Sequence, residues 1–280
     1  MEVMRSSARR PPASPVAAVA SIVAHRALIR QLAVRDVLGR YKGSILGIGW
    51  SLFNPILMLV VYTFVFSVVF RAKWGAGPTE STVDFGLILF VGLMVHGLFA
   101  ELATRAPTLV LGNVNLVKKV VFPLELLPVV ALCTALFHLA ISFCVFMVAM
   151  LLLQGKLHPT VVFLPLVVAP LGIALLGLGW LLASLGVFLR DVAQTTGIVT
   201  TVLLFLSPVF YPASALPAAY QPLFLLNPLT FIIEQAREVV IWGRLPDWRG
   251  LGVYSIFALA MAAAGFWWFQ RTRRGFADVV

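Results

Sequence analysis

The sequence predicts an all-α fold: a polytopic membrane protein with six transmembrane helices, N- and C-termini cytoplasmic, and re-entrant or interfacial helices between spans five and six. Three observations predict it. Of 280 residues, 61% are apolar and only 11% charged, where a soluble chain carries about 25% charged residues. Apolar runs recur near the roughly 20 residues that one bilayer crossing needs. The basic residues, which give a net charge of +10, lie between those runs. That is the placement favoured by cytoplasmic water and anionic head groups, not the continuous patch of a nucleic-acid binder.

Residues 1–25, with Arg9-Arg10 and three prolines, read as a disordered cytoplasmic tail. The weakly apolar stretch Val16 to Ala24 is followed by Arg26, Arg30 and Arg35, the wrong flank for a cleaved signal. Residues 26–50 read as a cytoplasmic interfacial helix and an elbow. On a helical wheel Arg35 lies opposite Arg26, so the polar face is not clean. Gly39, Gly43, Gly47 and Gly49 recur within eleven residues and suit an elbow better than a packing ridge, because glycine admits turns that other residues resist.

Residues 51–270 form the six-span transmembrane domain, with spans at Ser51–Phe70, Phe85–Ala103, Leu126–Leu153, Val161–Leu189, Gly197–Tyr211 and Leu251–Phe269. The fifth is short and ends in Pro208 and Pro212. Residues 271–280 are a second cytoplasmic tail. Alternating sides divide the 21 basic residues into fifteen with the termini and six opposite, so the termini face the cytoplasm by the positive-inside rule. The largest outer segment, Pro212 to Gly250, holds four further prolines and an apolar stretch, Leu223 to Leu226, too short to cross. Cys133 and Cys144, about 16 Å apart on one helix, are beyond disulfide reach and read as packing residues.

The sequence carries no engine of its own. No G-x-x-x-x-G-K-[ST] loop is present, since Gly155-Lys156 is followed by Leu157. The carboxylates sit at span ends or outside, rather than at mid-membrane where ion-coupled carriers keep them. His96 and His138 both fall within spans. Were they to meet across two helices they would suit a membrane-embedded enzyme acting on a lipid substrate, the alternative function, although no third ligand accompanies them.

Several segments carry further meaning. Tyr62, Phe66 and Phe70 recur at i, i+4 and i+8, one aromatic stripe that suits either a sugar conduit or a lipid-facing belt. Arg35, Arg40 and Lys42 lie near the inner leaflet, as topology anchors or as ligands for a lipid-linked pyrophosphate. Residues 107–119 mix apolar positions with Asn113, Asn115, Lys118 and Lys119, fitting an amphipathic helix against another protein or against the membrane. Arg190 and Asp191 can pair with each other or across helices, and Glu234 and Arg237, spaced i, i+3, can support their own helix.

Four blocks resemble one family: RYKGSILGIGWSLFNPILMLVVYTFVFSVVF from Arg40 to Phe70, NLVKKVVFPLELLP from Asn115 to Pro128, Arg190-Asp191 followed by SPVFYP from Ser207 to Pro212, and LNPLTFIIEQARE from Leu226 to Glu238. In order and spacing the chain is similar to the membrane subunit of bacterial ABC-type polysaccharide exporters, which move lipid-linked O-antigen, teichoic acid or capsule precursors. The resemblance implies a multi-pass inner-membrane permease, acting as a homodimer with two cytoplasmic ATPase subunits. No cofactor is held by this chain, and ATP and Mg belong to the partner. By the same resemblance Tyr62, Phe66 and Phe70 line the conduit and Arg35, Arg40 and Lys42 hold the lipid pyrophosphate. Pro107, Leu111, Asn113, Asn115, Lys118 and Lys119 couple to the ATPase, and Arg190, Asp191, Glu234 and Arg237 gate the path.

Overall fold

A computed structural model of the chain describes residues 14–70, 74, 82–118, 122–212, 215, 217, 220–221, 224 and 227–279. These residues form helices and no strand. In order they are α1 (Pro15–Ala24), α2 (Arg26–Tyr41), α3 (Gly49–Tyr62), α4 (Thr82–Arg105), α5 (Val114–Lys118), α6 (Leu126–Gln154), α7 (Leu164–Phe188), α8 (Val192–Leu206), α9 (Pro228–Val240), α10 (Trp248–Thr272) and α11 (Phe276–Val279). Five segments are long and apolar enough to cross a bilayer: Gly49–Phe66, Phe85–Thr108, Leu126–Gln154, Pro159–Phe188 and Trp248–Val279.

The tail expected to be disordered is helical from residue 15. Ser14 caps α1, accepting from the Ala17 N–H at 3.3 Å, and Pro15 opens the first turn. Residues 1–13 lie outside the described residues. A 73° bend at His25 leads into α2, whose five charged side chains, Arg26, Arg30, Arg35, Asp36 and Arg40, make it unfit to cross hydrocarbon. Gly43 at φ +87° and Gly47 at φ +51° turn the chain from α2 into α3.

The first span does not continue as α-helix to residue 70. At Thr63 it opens into a π-helical turn, Thr63–Val69. Thr63 nests against Gly86 of α4 so closely that a Cβ there would lie 2.2 Å from the Thr63 hydroxyl. The fifth span also differs from expectation. α8 covers 15 residues, about 22 Å at 1.5 Å per residue, and stops at Leu206 rather than at Tyr211. Pro208 forces Ser207 into extended backbone, φ −103°, ψ 156°.

α4 is the hub. Its apolar window is 78% buried, against 11% for α3 and for α6, so those two helices keep broad apolar faces for lipid or a second protein. α7 and α10 approach backbone to backbone. A Cβ on Gly177 would lie 2.4 Å from the Met261 carbonyl oxygen, and one on Gly265 would lie 2.0 Å from that of Gly177, the close small-residue packing by which helices associate in lipid. At the end bearing the first and last described helices, the terminal end, Glu125 accepts from Ser21 at 3.1 Å and pairs with Arg273 at 2.8 Å. Trp180 donates to its carbonyl at 2.9 Å. α1 and the C-terminal end of α10 are thereby held on one face.

This packing makes a specific prediction. Gly177→Val inserts side-chain atoms into the Met261 backbone and should cost about 1–3 kcal/mol or more, read as a lower melting temperature and loss of monodisperse protein in detergent. Gly172→Ala on the same helix meets nothing within 4 Å and should leave both unchanged.

Candidate transport path and gate

The aromatic stripe is assembled as expected and extended. Tyr62 and Phe66 have ring centroids 6.3 Å apart, and Phe66 and Phe70 5.6 Å. The π-helical turn between them does not break the stripe. Phe66 stacks on Phe210 at 5.3 Å and on Phe85 at 6.1 Å, and Phe205 joins Phe210 at 5.5 Å. Sequence reasoning missed Phe85 and Phe210, because their partner Phe66 lies on another helix, and Phe205, because only the break at Ser207 brings it to Phe210.

Beside these rings, α8 ends inside the bundle. A helix terminus leaves its last carbonyls without intrahelical donors, and hydrocarbon supplies none. Side chains supply them here. The Ser207 hydroxyl donates to the Leu203 carbonyl at 2.6 Å, and the Tyr211 hydroxyl to that of Phe205 at 2.5 Å. Asn227 Nδ2 donates to the Leu206 carbonyl at 3.1 Å and to Ser207 Oγ at 2.8 Å, while its Oδ1 caps α9 by accepting from the Leu229 N–H at 2.9 Å. Two sequence blocks 20 residues apart, SPVFYP and LNP, thus complete each other.

Arg237 closes the arrangement. Its side chain is fully buried. Nε donates to the Ile88 carbonyl of α4 at 3.1 Å, Nη2 to the Val209 carbonyl at 3.2 Å and Nη1 to Glu234 at 3.2 Å. The guanidinium lies 4.1 Å over the Trp74 ring. Gly92 makes room for it, since a Cβ there would lie 2.8 Å from Nη2. Glu234 and Arg237 do pair, as their spacing predicts, but support of their own helix is the lesser part of what Arg237 does. It fastens α9 to α4 and to the irregular end of α8.

Arg190 and Asp191 are both exposed and make no ion pair among the described residues. The Asp191 carbonyl accepts from the Thr195 N–H and hydroxyl, each at 2.9 Å, at the start of α8.

At the terminal end a charge network joins α2, α4 and α6. Arg105 Nη2 donates to both Asp36 oxygens, at 2.9 and 2.8 Å, and Thr134 donates to Asp36 at 2.8 Å. Glu101 pairs with Arg40 at 2.5 Å and with His138 Nδ1 at 2.9 Å, and the Tyr41 hydroxyl contacts His138 Nε2 at 3.1 Å. Burial works to raise the pKa of Asp36, but the Thr134 hydrogen bond and the Arg105 guanidinium outweigh it and hold the carboxyl below its ordinary range. The contribution of Asp36 is therefore complete above the ordinary carboxylate pKa and is lost only as pH falls through its lower folded value.

The two histidines do not meet. His96 Nε2 donates to the Thr200 carbonyl of α8 at 3.0 Å, and His138 belongs to the charge network. The paired site that an enzyme reading requires is not formed. Of the proposed pyrophosphate ligands, Arg35 and Arg40 line one cleft with Asp36 and Arg105; Lys42, exposed at the end of α2, does not line it.

The coupling segment is not the single amphipathic helix expected. It forms two 3-10 turns, Ala106–Thr108 and Leu111–Asn113, then α5. Pro107 is buried, its carbonyl packed where a Cβ on Gly186 would stand, so it anchors the segment to α7 instead of facing a partner. Asn113 turns inward and donates to the Leu109 carbonyl at 2.8 Å, whereas Asn115 and Lys118 are exposed and Leu111 is half-buried. Lys119 lies outside the described residues.

Comparison with known proteins identifies this arrangement. The family model for ABC-2 type transporters matches residues 27–241. The chain belongs to that family. Relatives include the O-antigen export system permease protein RfbA of Myxococcus xanthus, 28% identical over 94% of this chain and 98% of the relative. The protein of the same name from Klebsiella pneumoniae is 24% identical over 88% and 92%. The polysialic acid transport protein KpsM of Escherichia coli is 23% identical over 85% and 90%. The chain is a membrane permease, and the family carries a transport subunit, not an enzyme.

Arg237 can be tested directly. A lysine has no planar fork with which to reach two carbonyls and a carboxylate, and breaking one side of a buried charged cluster costs about 3–5 kcal/mol. Arg237→Lys should lower the melting temperature sharply and abolish transport. Glu234→Gln, at a side chain 36% exposed, should cost less, because the amide oxygen still accepts from Nη1 and the other two donor groups of Arg237 keep their carbonyls. Equal losses in the two variants contradict the assignment.

Proposed function

We propose that this chain is the membrane-spanning permease of an ATP-driven exporter that moves lipid-linked polysaccharide, O-antigen first, across the bacterial inner membrane. The observation that carries the reading is the near full-length likeness to permeases named for O-antigen and polysialic acid export. The aromatic path from Tyr62 to Phe70, widened by Phe85 and Phe210, supports a carbohydrate cargo. Ring faces stack on sugar C–H surfaces without holding a chain by strong hydrogen bonds.

In this reading six crossings comprise the five long spans and α8. α1 and α2 lie at the cytoplasmic interface, and the termini face the side with fifteen basic residues. Val192–Leu206 is short for a bilayer of about 30 Å, and the side-chain caps on its carbonyls let the irregular stretch to Tyr211 finish the crossing. Two permease copies and two ATPase subunits form the working unit, with ATP and Mg on the ATPase. The exposed faces of α3 and α6 offer the dimer surface. Leu111, Asn115 and Lys118 contact the ATPase, and Arg35 and Arg40 hold the lipid pyrophosphate at the inner leaflet. Glu234 and Arg237 brace the outer gate, and Arg190 and Asp191 mark its opposite hinge. No observation favours the enzyme alternative once His96 and His138 are engaged elsewhere.

The experiment is reconstitution. The permease should co-purify with its ATPase, and lipid-linked glycan should raise ATP hydrolysis by the complex; turnover of lipid by the permease alone overturns the reading. Phe70 is the clean probe of the path, being 67% exposed with Phe66 its one ring contact among the described residues. Phe70→Ala should reduce polymer export several-fold with assembly intact. Phe66→Ala, which loses three further ring contacts to Tyr62, Phe85 and Phe210, should lose stability as well, by about 3 kcal/mol.

A further inference from the structure

The charge network at the terminal end borders a cleft of about 480 Å³ that α2, α4, α6 and the coupling segment share. Arg35, Asp36, Gly39 and Arg40 enter from α2, Arg105 from the end of α4, and Leu109, Asn113 and Leu116 from the coupling segment. Three guanidinium groups therefore converge on one cavity. They are not equally engaged. Arg40 is paired with Glu101; Arg35 makes no ion pair or hydrogen bond among the described residues. Arg105 spends Nη2 on Asp36, while its Nη1 is buried without a hydrogen-bond partner among the described residues, 3.9 Å from Glu101.

A buried cationic donor without an acceptor is costly, and the cost is recovered when an anion reaches it. A diphosphate suits this position better than Asp36 does. It carries more charge, offers oxygens to several donors at once, and matches the planar fork of arginine. The position of Arg105 gives such binding a consequence. It is the last residue of α4 and leads directly into the turn Ala106–Thr108, which its own carbonyl helps to hold by accepting from the Thr108 hydroxyl at 3.0 Å.

We propose that this cleft binds the diphosphate head of the lipid-linked cargo by exchange. Arg105 leaves Asp36 for the phosphate, Asp36 stays with Thr134, and the shift of Arg105 moves residues 106–118, signalling an occupied site to the ATPase. The proposal rests on the head-group reading given above for Arg35 and Arg40. It adds Arg105 as the residue joining cargo to coupling and Asp36 as the competing anion that keeps the empty site quiet. Asp36 also ties α2 to α6 through Thr134, so the exchange loosens α2 on one side only.

The test uses the whole permease–ATPase complex in phosphatidylcholine nanodiscs containing radiolabelled polyprenyl diphosphate, with polyprenol as the phosphate-free control. Bound lipid and ATP hydrolysis are read together. Arg105→Gln should bind polyprenyl diphosphate about tenfold more weakly and lose the rise in hydrolysis that the lipid causes. Asp36→Asn, which removes the competitor, should bind several-fold more tightly and respond at lower lipid concentration. Co-purification of the ATPase reports assembly. If Arg105→Gln fails to assemble, Asp36→Asn decides alone, and unchanged or weaker binding overturns the exchange. Should Arg35→Gln and Arg40→Gln weaken binding while Arg105→Gln and Asp36→Asn leave it unaltered, the exchange is wrong and the head-group reading survives. If none of the four changes binding, or polyprenol binds equally well, both fall.

Discussion

Hydrocarbon offers no donor to a carbonyl, and one buried guanidinium lets this chain interrupt a helix within the bundle all the same. α8 gives way at Ser207 to irregular backbone among apolar neighbours. Arg237 supplies the donor for the Val209 carbonyl and ties the same side chain to the Ile88 carbonyl. With Asn227, Ser207 and Tyr211 completing the set, a helix end that would be untenable in lipid becomes a fixed corner. The amphipathic helix Pro228–Val240 is held by its own buried face, and the arginine on that face is the pin.

That corner explains why aromatic rings gather where they do. Phe205 and Phe210 stand on either side of the break in α8, and the break aims Phe210 at Phe66. An uninterrupted helix from Gly197 to Tyr211 would separate Phe205 and Phe210 by about 140° around its axis. The π-helical turn in the first span works in the same sense, letting Thr63 seat against Gly86 while Tyr62, Phe66 and Phe70 remain neighbours. Two local departures from α-helical geometry, on two different spans, build one aromatic surface.

Composition and charge placement are enough to read a polytopic helical fold, because the bilayer imposes length and polarity on each span independently of its neighbours. The elbow is legible for the same reason, glycine's freedom being local. Anything requiring a partner from a distant helix is not legible. His96 and His138 look alike as buried imidazoles, yet one serves a carbonyl on α8 and the other a carboxylate on α4. Arg105 counts in the sequence only as a topology charge. A usable signal exists in the scarcity of acids, eleven against 21 bases: Asp36, Glu101, Glu125, Glu234 and Glu238 each hold an arginine. In so apolar a chain a carboxylate near a span end marks a fastening point. The coupling segment reads as one helix because its periodicity is helical; Pro107 and its seat on Gly186 decide otherwise.

The two ends of the bundle are fastened by different physics, and this bears on where motion occurs. The Arg237 cluster has a guanidinium wholly out of solvent, so opening it strands a charge in a medium that cannot hydrate it. The network at the terminal end is different. Its side chains are between 17% and 33% exposed, water can take over each partner as it leaves, and single pairs of this kind contribute little. A permease driven from its ATPase side must yield first where fastening is reversible and must keep its register where it is not. Under the proposed coupling role, displacement delivered at residues 106–118 spends itself on α2 and the ends of α4 and α6, while the corner at Arg237 moves as one piece with α4. Opening of the gate proposed at that corner then has to come from rigid displacement of the piece, not from unpicking the hydrogen bonds that hold it.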